Sequence, residues 1–371
     1  MTLQKKHVFL SAIVLMVTTA FSSVVRADEV DDYLVQIMEK KKIPGLQLAV
    51  IKNNKIVKTA YYGIANVEKK LPVSEQTPFP INSMTKAFTG VAIMQLVSQN
   101  KLSLSDEISK HLPNLPATWQ SLTIKQLLTH TSGLPEIMSG QLVELIGDGT
   151  ADSAWETVQT LPMEFKANSQ FKYNQTGYIL LGKLIDKISG QRFVDVISKH
   201  QLQPAKMVVT EGASFSNSNE ETQPKAIQYF YQTSEQQQPD SLDLSFPPFL
   251  GTAAGMSSTA IELAQYVIAL QQDKLLDAQR RKELWSPAVL DNGKTSGFSE
   301  LENGYAMGWQ VVGREKHPAV SATGAGASTL IIYPEDGVAI IVLTNLLGSS
   351  PINFVDQIAS FYIPGMISGD K

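Results

Sequence analysis

Hydrophobic and polar residues alternate with different periods along this chain. An apolar stretch runs from Val8 to Phe21, interrupted by Ser11 and the pair Thr18 and Thr19. Val30, Tyr33, Leu34, Ile37 and Met38 then recur at helical spacing over residues 30–42, and Ile43-Pro44-Gly45 ends that helix. Residues 45–63 predict a hairpin of two apolar strands turning at Asn53-Asn54. From about residue 83 to 200 the period is helical, cut by loops that carry Pro and Gly. Residues 214–244 are poor in apolar side chains and rich in Gln, Ser and Glu, which predicts an insertion or flexible loop. Residues 257–271 predict a helix capped by Ser257, Ser258 or Thr259, with Glu262 in its first turn. Strands follow at 305–312, 328–333 and 338–345, the last two joined by a tight turn at Pro334–Gly337, before a final helix over about 351–361.

Strands at both ends with helices between them predict an α/β (α+β) fold in which one antiparallel sheet is built from both termini and flanked by helices. The sheet lobe is expected over about 28–82 and 256–371, a helical lobe over about 83–255, and a site in the cleft between them.

Composition narrows the function. The chain has 371 residues, 43% of them apolar, which is ample for a core without covalent staples. Its net charge is −4 and no basic stripe is present, so no nucleic-acid partner is expected. It has no cysteine, which excludes disulfides, thiolate metal sites and a lipid-modified N-terminal cysteine. Lys5, Lys6 and His7 precede the apolar stretch, and Val25-Arg26-Ala27 follows it with small side chains at two cleavage-site positions. This is the pattern of a signal peptide over 1–27, with the mature chain starting at Asp28. The apolar run is short for a membrane span of ~20 residues. The mature protein is therefore expected to be periplasmic or secreted, with no stable membrane anchor.

The string that carries chemistry is Ser83-Met84-Thr85-Lys86 at the start of an apolar helix. At a spacing of three, both functional side chains leave the same helix face one turn apart. A serine hydroxyl is a poor nucleophile until a base takes its proton. A lysine can do so once burial lowers its pKa toward neutrality, and the Ser83 N–H at the helix start can face a developing oxyanion. Taken alone, S-x-x-K is a weak signal, equally satisfied by a capping serine and a surface lysine.

Further strings accompany it: Leu127-Leu128-Thr129-His130-Thr131-Ser132-Gly133-Leu134-Pro135, then the run from Phe171 to Gly182 containing Tyr173-Asn174-Gln175-Thr176-Gly177-Tyr178. Ala253 to Thr259 and Gly304-Tyr305-Ala306-Met307-Gly308-Trp309 complete the set. In this order they resemble the serine β-lactamase-related superfamily: class C β-lactamases, D-Ala-D-Ala peptidases and esterases of the same fold. The resemblance runs from about residue 30 to the end.

It implies a serine hydrolase acting through an acyl-enzyme on an ester, a peptide amide or a β-lactam. Ser83 is then the nucleophile, Lys86 its neighbouring proton acceptor, and Tyr173 a phenolate or hydrogen-bond relay to the leaving group. Gln175 stands where the family usually has Asn and is one methylene longer. The family's third motif, a basic residue or His followed by Thr or Ser and Gly, is matched on a strand by Ala322-Thr323-Gly324, with the Ala325 N–H as second oxyanion donor. Ala322 carries no charge, so a basic residue nearby in sequence, Arg314 or Lys316, is the available substitute. No metal or organic cofactor is implied.

Other signals are weaker. Gly177 to Lys183 has the spacing of a phosphate loop, but Leu184 follows and the inner positions are bulky, so it reads as a buried helix with two close-packing glycines. There is no G-x-S-x-G elbow, no H-E-x-x-H and no metal-ligand spacing among the five histidines. His130 is expected to hold the Thr131–Gly133 loop by hydrogen bonds. The changes at Gln175 and Ala322 also leave room for a non-catalytic peptide- or cell-wall-binding protein on the same fold.

Overall fold

The computed structural model describes residues 27–140, 144–215, 225–242 and 247–366. The leader assigned to 1–27 lies outside them except for Ala27. Eight strands form the main sheet. From the N-terminal part come β1 (Gly45–Lys52), β2 (Lys55–Asn66) and β3 (Leu71–Pro72). From the C-terminal part come β4 (Gly304–Tyr305), β5 (Gln310–Val312), β6 (Ala319–Gly324), β7 (Ser328–Tyr333) and β8 (Val338–Thr344). The spatial order is β4-β5-β6-β7-β8-β1-β2-β3. Each neighbouring pair is antiparallel, and β1 joins the two halves by pairing Leu46 with Thr344 through Lys52 with Val338. The β1–β2 turn falls at Asn53 and Asn54, both with positive φ, as a two-residue hairpin with right-handed strand twist requires.

Both faces of the central strands are covered, so alternate residues serve two cores. Ala49, Ile51, Ala339, Ile341 and Leu343 face one core, while Leu48, Val50, Val338, Ile340 and Val342 face the other. The terminal helices α1 (Ala27–Lys41) and α7 (Val355–Ser360) seal the second face with Val30, Leu34, Val355 and Ile358. The first face is covered by α2 (Thr85–Ser98) and α6 (Ala260–Gln271), and α4 (Gln175–Ser189) packs on α2. Between them lie α3 (Ile124–Leu128) and the short α5 (Gly251–Ala254). Near-continuous apolar runs such as VAIIVLT are what strands buried on both faces need. Thr259 caps α6 by accepting the Glu262 N–H.

Two expectations need correction. Residues 214–244 are not simply a loop. Gln228–Phe230 pairs with Asp240–Leu242, and Tyr229 is fully buried. Its backbone N–H donates to Asn345 O at 2.8 Å and its hydroxyl donates to Glu68 at 2.6 Å. One anchoring aromatic holds the segment, which a periodicity search cannot see; 216–224 and 243–246 lie outside the described residues. The final helix is also broken: a 3₁₀ turn at Pro351–Asn353 precedes α7. Among the described residues no helix is long and apolar enough to cross a membrane.

Candidate active site

Short strands Phe79–Pro80 and Ser257–Ser258 pair with each other and deliver the chain to a 3₁₀ turn, Asn82–Met84, that runs into α2. Asn82 has a φ of +47°, a conformation that a short polar side chain tolerates better than most. Thr85 pins the turn: its hydroxyl donates to Asn82 O at 2.7 Å and accepts the Met256 N–H at 3.2 Å. Ser83 is partly exposed between buried neighbours. Almost every residue of α2 is buried, so the helix has no polar face and Lys86 enters the interior with it.

Lys86 is 1% exposed. Its Nζ lies 3.5 Å from Ser83 Oγ, and it donates to Gln175 Oε1 at 2.8 Å and to Ala253 O at 3.0 Å. It also sits over the rings of Tyr173 and Tyr178, at 4.6 and 5.2 Å from their centroids. Burial pulls its pKa down to about 7, against a smaller opposing pull from the Glu136 carboxylate. The Tyr173 hydroxyl, by contrast, is pushed well up by burial, with hydrogen bonds to the Ser83 and Gln175 side chains lowering it in part.

The two family-specific strings interlock around these groups. Asn174 caps α4 through Oδ1, which accepts the Gly177 N–H at 2.8 Å, and its Nδ2 donates to Leu134 O and Pro135 O. Its backbone N–H donates to His130 Nδ1 at 3.1 Å. His130 thus secures the Tyr173–Gln175 turn, rather than the Thr131–Gly133 loop by its ring. Burial and the nearby Lys86 keep it neutral, with its proton on Nε2. Gly182 packs on Thr252, where a Cβ would come within 2.5 Å of that side chain, and Gly177 lies against the Leu127 backbone.

The end of β6 lies against the serine turn. Gly324 allows that approach: a Cβ there would sit 2.0 Å from Ile81 O. Gly308 does the same for the β4–β5 connection, where a Cβ would stand 2.3 Å from Lys86 O. Thr323 Oγ1 accepts from Gln310 Nε2 at 2.9 Å, and Ala325 turns the hairpin with a φ of +49°. Among the described residues neither the Ser83 nor the Ala325 backbone N–H is used by another group. Ala322 is buried in the core beneath this corner.

Neither substitute cation reaches it. Arg314 forks onto Asp356 at 2.6 and 3.2 Å and donates to His317 O, while Lys316 is exposed in the turn before β6. Both lie at the end of a six-residue strand away from Gly324, roughly 16 Å at about 3.3 Å per residue.

Two residues went unnoticed in the sequence. Glu136 follows Leu134-Pro135 directly, and its carboxylate accepts the Gln175 N–H at 2.9 Å. Phe298, exposed and in a loop, brings its ring to 5.1 Å from Tyr173 and beside Phe171 and Tyr305. Only their placement marks them; neither belongs to a periodic or motif pattern. A surface cavity at the far end of α2, lined by Gln95, His200, Asp273 and Leu276, is separate from all of these groups. Among the described residues no group of three or more His, Asp or Glu could hold a metal ion.

A buried lysine one turn from a partly exposed serine, beside an antiparallel sheet closed by both chain ends, is the arrangement of the serine β-lactamase and penicillin-binding-protein-like superfamily. The chain belongs to the Beta-lactamase family, whose model matches residues 30–360. Protein flp of Staphylococcus aureus is 29% identical over 325 residues, covering 86% of this chain. This chain spans 63% of the length of that relative. A penicillin-binding protein of Bacillus subtilis is also 29% identical, over 83% of this chain and 69% of its own. The octameric penicillin-binding protein homologue from Pyrococcus abyssi superposes with a TM-score of 0.76 at 25% identity, covering 92% of this chain and 80% of that one.

Proposed function

We propose that this protein is an exported hydrolase that forms an acyl-enzyme on Ser83, with uncharged esters or peptides lacking a C-terminal carboxylate as its preferred substrates. The observation that carries the proposal is the buried Lys86 beside Ser83, held by two acceptors and brought near neutrality by burial. Lys86 is the base, because its pKa of about 7 leaves much of it unprotonated at neutral pH while Tyr173 stays a phenol. Ser83 Oγ attacks the carbonyl carbon as its proton passes to Lys86 Nζ. The N–H groups of Ser83 and Ala325 receive the oxyanion. Tyr173, hydrogen-bonded to Ser83, relays a proton to the leaving group, and water then hydrolyses the acyl-enzyme.

The substrate preference rests on Ala322. Where relatives place a basic residue that meets a substrate carboxylate, this chain has a buried methyl group, and Arg314 is committed to Asp356. Gln175 reaches Lys86 with its longer side chain, which favours a working site over a binding-only cleft. A fluorophosphonate should label Ser83, and Ser83→Ala should abolish both labelling and turnover with the melting temperature unchanged. Retention of most of the rate in Ser83→Ala would overturn the assignment.

A further inference from the structure

We propose that Glu136 is a positioning residue for the base: its buried carboxylate is the counter-charge for the cation that Lys86 becomes on taking the Ser83 proton. The proposal rests on the acyl-enzyme reading of Ser83 and Lys86. The two groups are joined through a single residue. Glu136 Oε2 accepts the Gln175 N–H at 2.9 Å, and Gln175 Oε1 accepts from Lys86 Nζ at 2.8 Å. Glu136 Oε1 accepts two more N–H groups, from Ile137 at 2.8 Å and Met138 at 3.1 Å. Three backbone donors and the first turn of the fifteen-residue α4 favour the ionised carboxylate, opposing the burial that pushes it up.

The other groups facing Lys86 supply no negative charge. Tyr173 and Tyr178 lie beneath it and are held neutral by burial, and His130 behind Tyr173 is also neutral. α5 offers the Ala253 carbonyl. Glu136 is the acidic group that acts on Lys86 among the described residues.

The chemistry explains why such a group is useful. In acylation the Ser83 O–H bond breaks, an Nζ–H bond and an Oγ–C bond form, and the substrate carbonyl oxygen takes up the negative charge. Lys86 thereby gains a full positive charge while buried, where an unpaired cation is costly. In this role Glu136 neither gives nor takes a proton. A purely structural role, capping α4, would not move the titration of Lys86.

The test is Glu136→Gln, which keeps the shape and one acceptor oxygen but removes the charge. Lys86 is followed by lysine-selective NMR, its signal assigned by loss in Lys86→Met, and kcat/KM for an activated ester is measured against pH. Losing an anion disfavours the lysinium, so the Lys86 midpoint should fall by about one unit, equivalent to a tenfold change in equilibrium. The acid limb of kcat/KM should move to lower pH by the same amount, while the plateau rate drops about tenfold. An unchanged Lys86 midpoint in folded Glu136→Gln overturns the proposal. If that variant does not fold, Glu136→Asp decides: a smaller downward shift supports the proposal and no shift overturns it. Failure of Ser83 to label with fluorophosphonate would instead remove the acyl-enzyme reading, and the NMR midpoint would still decide on Glu136.

Discussion

Replacing Lys86 by methionine should change the pH dependence of stability in a way that reports directly on how the base is tuned. Lys86 has a pKa of about 7 in the folded protein against 10.5 for an ordinary lysine, a difference of 10.5 − 7 = 3.5. Between those values the unfolded chain binds one more proton than the folded one. Wild-type stability therefore rises with pH across about 7 to 10.5, and is flat with respect to this group below about 7. At 1.36 kcal/mol per unit the buried lysine costs the fold on the order of 4–5 kcal/mol near neutral pH. The methionine variant would escape that cost but leave Gln175 Oε1 and Ala253 O without a donor, at about 1–3 kcal/mol each. The absolute change at pH 7 is therefore small, whereas its slope is not. The stability of Lys86→Met relative to wild type should decline by about 3 kcal/mol between pH 7.5 and 9.5. Urea unfolding followed by tryptophan fluorescence measures this, and titrating groups remote from Lys86 cancel in the difference. A difference that stays flat across that window would refute the burial account of the base. The variant should have no acyl-transfer activity at any pH.

Three further outcomes are expected. Without a cation at position 322, a cephalosporin should be hydrolysed with a kcat/KM on the order of ten- to a hundredfold below that of a simple activated ester, since a hydrogen bond to a charged group is worth roughly 1.5–3 kcal/mol; efficient cephalosporin turnover would contradict this. Gly324→Ala places a Cβ 2.0 Å from Ile81 O, pushing the β6 hairpin off the serine turn. Its kcat/KM should fall on the order of a hundredfold with little loss of secondary structure by circular dichroism. Native material should begin at or near Asp28 and be recovered outside the cytoplasm; N-terminal sequencing that starts at Met1 would count against export.

The parts of this molecule legible in the sequence are those governed by local rules. The β1–β2 hairpin could be read from two apolar runs around Asn53-Asn54, because a two-residue turn needs positive φ and asparagine tolerates it. Ser83, Lys86 and Tyr173 could be read from their strings, and these three do converge. What stayed hidden depends on contacts made across long stretches of chain. Glu136 looks like any loop glutamate until α4 is laid against it. Gln175 looks like a degraded motif until its extra methylene is seen to carry the amide to Lys86. Arg314 looks available until Asp356, 42 residues on, is found to hold it. Tyr229 looks like a stray aromatic in a polar segment until Asn345 and Glu68 are seen to receive it.

The way β1 is sandwiched between β2 and β8 has a consequence for when the molecule becomes competent. The Gly45 N–H donates to Asn345 Oδ1 across 300 positions of chain, and Gly324 on β6 packs against Ile81 beside the serine. A ribosome therefore releases Ser83 and Lys86 long before the hairpin that bears Ala325 exists. The early hairpin can form within microseconds, but closure of the sheet must wait for the C-terminal strands. Until then, on the proposed mechanism, the serine has at most one of its two oxyanion donors, and the nascent chain is chemically quiet. Such an architecture couples the birth of reactivity to the last step of assembly, so a chain interrupted before β6 should carry the nucleophile and its base without the power to use them.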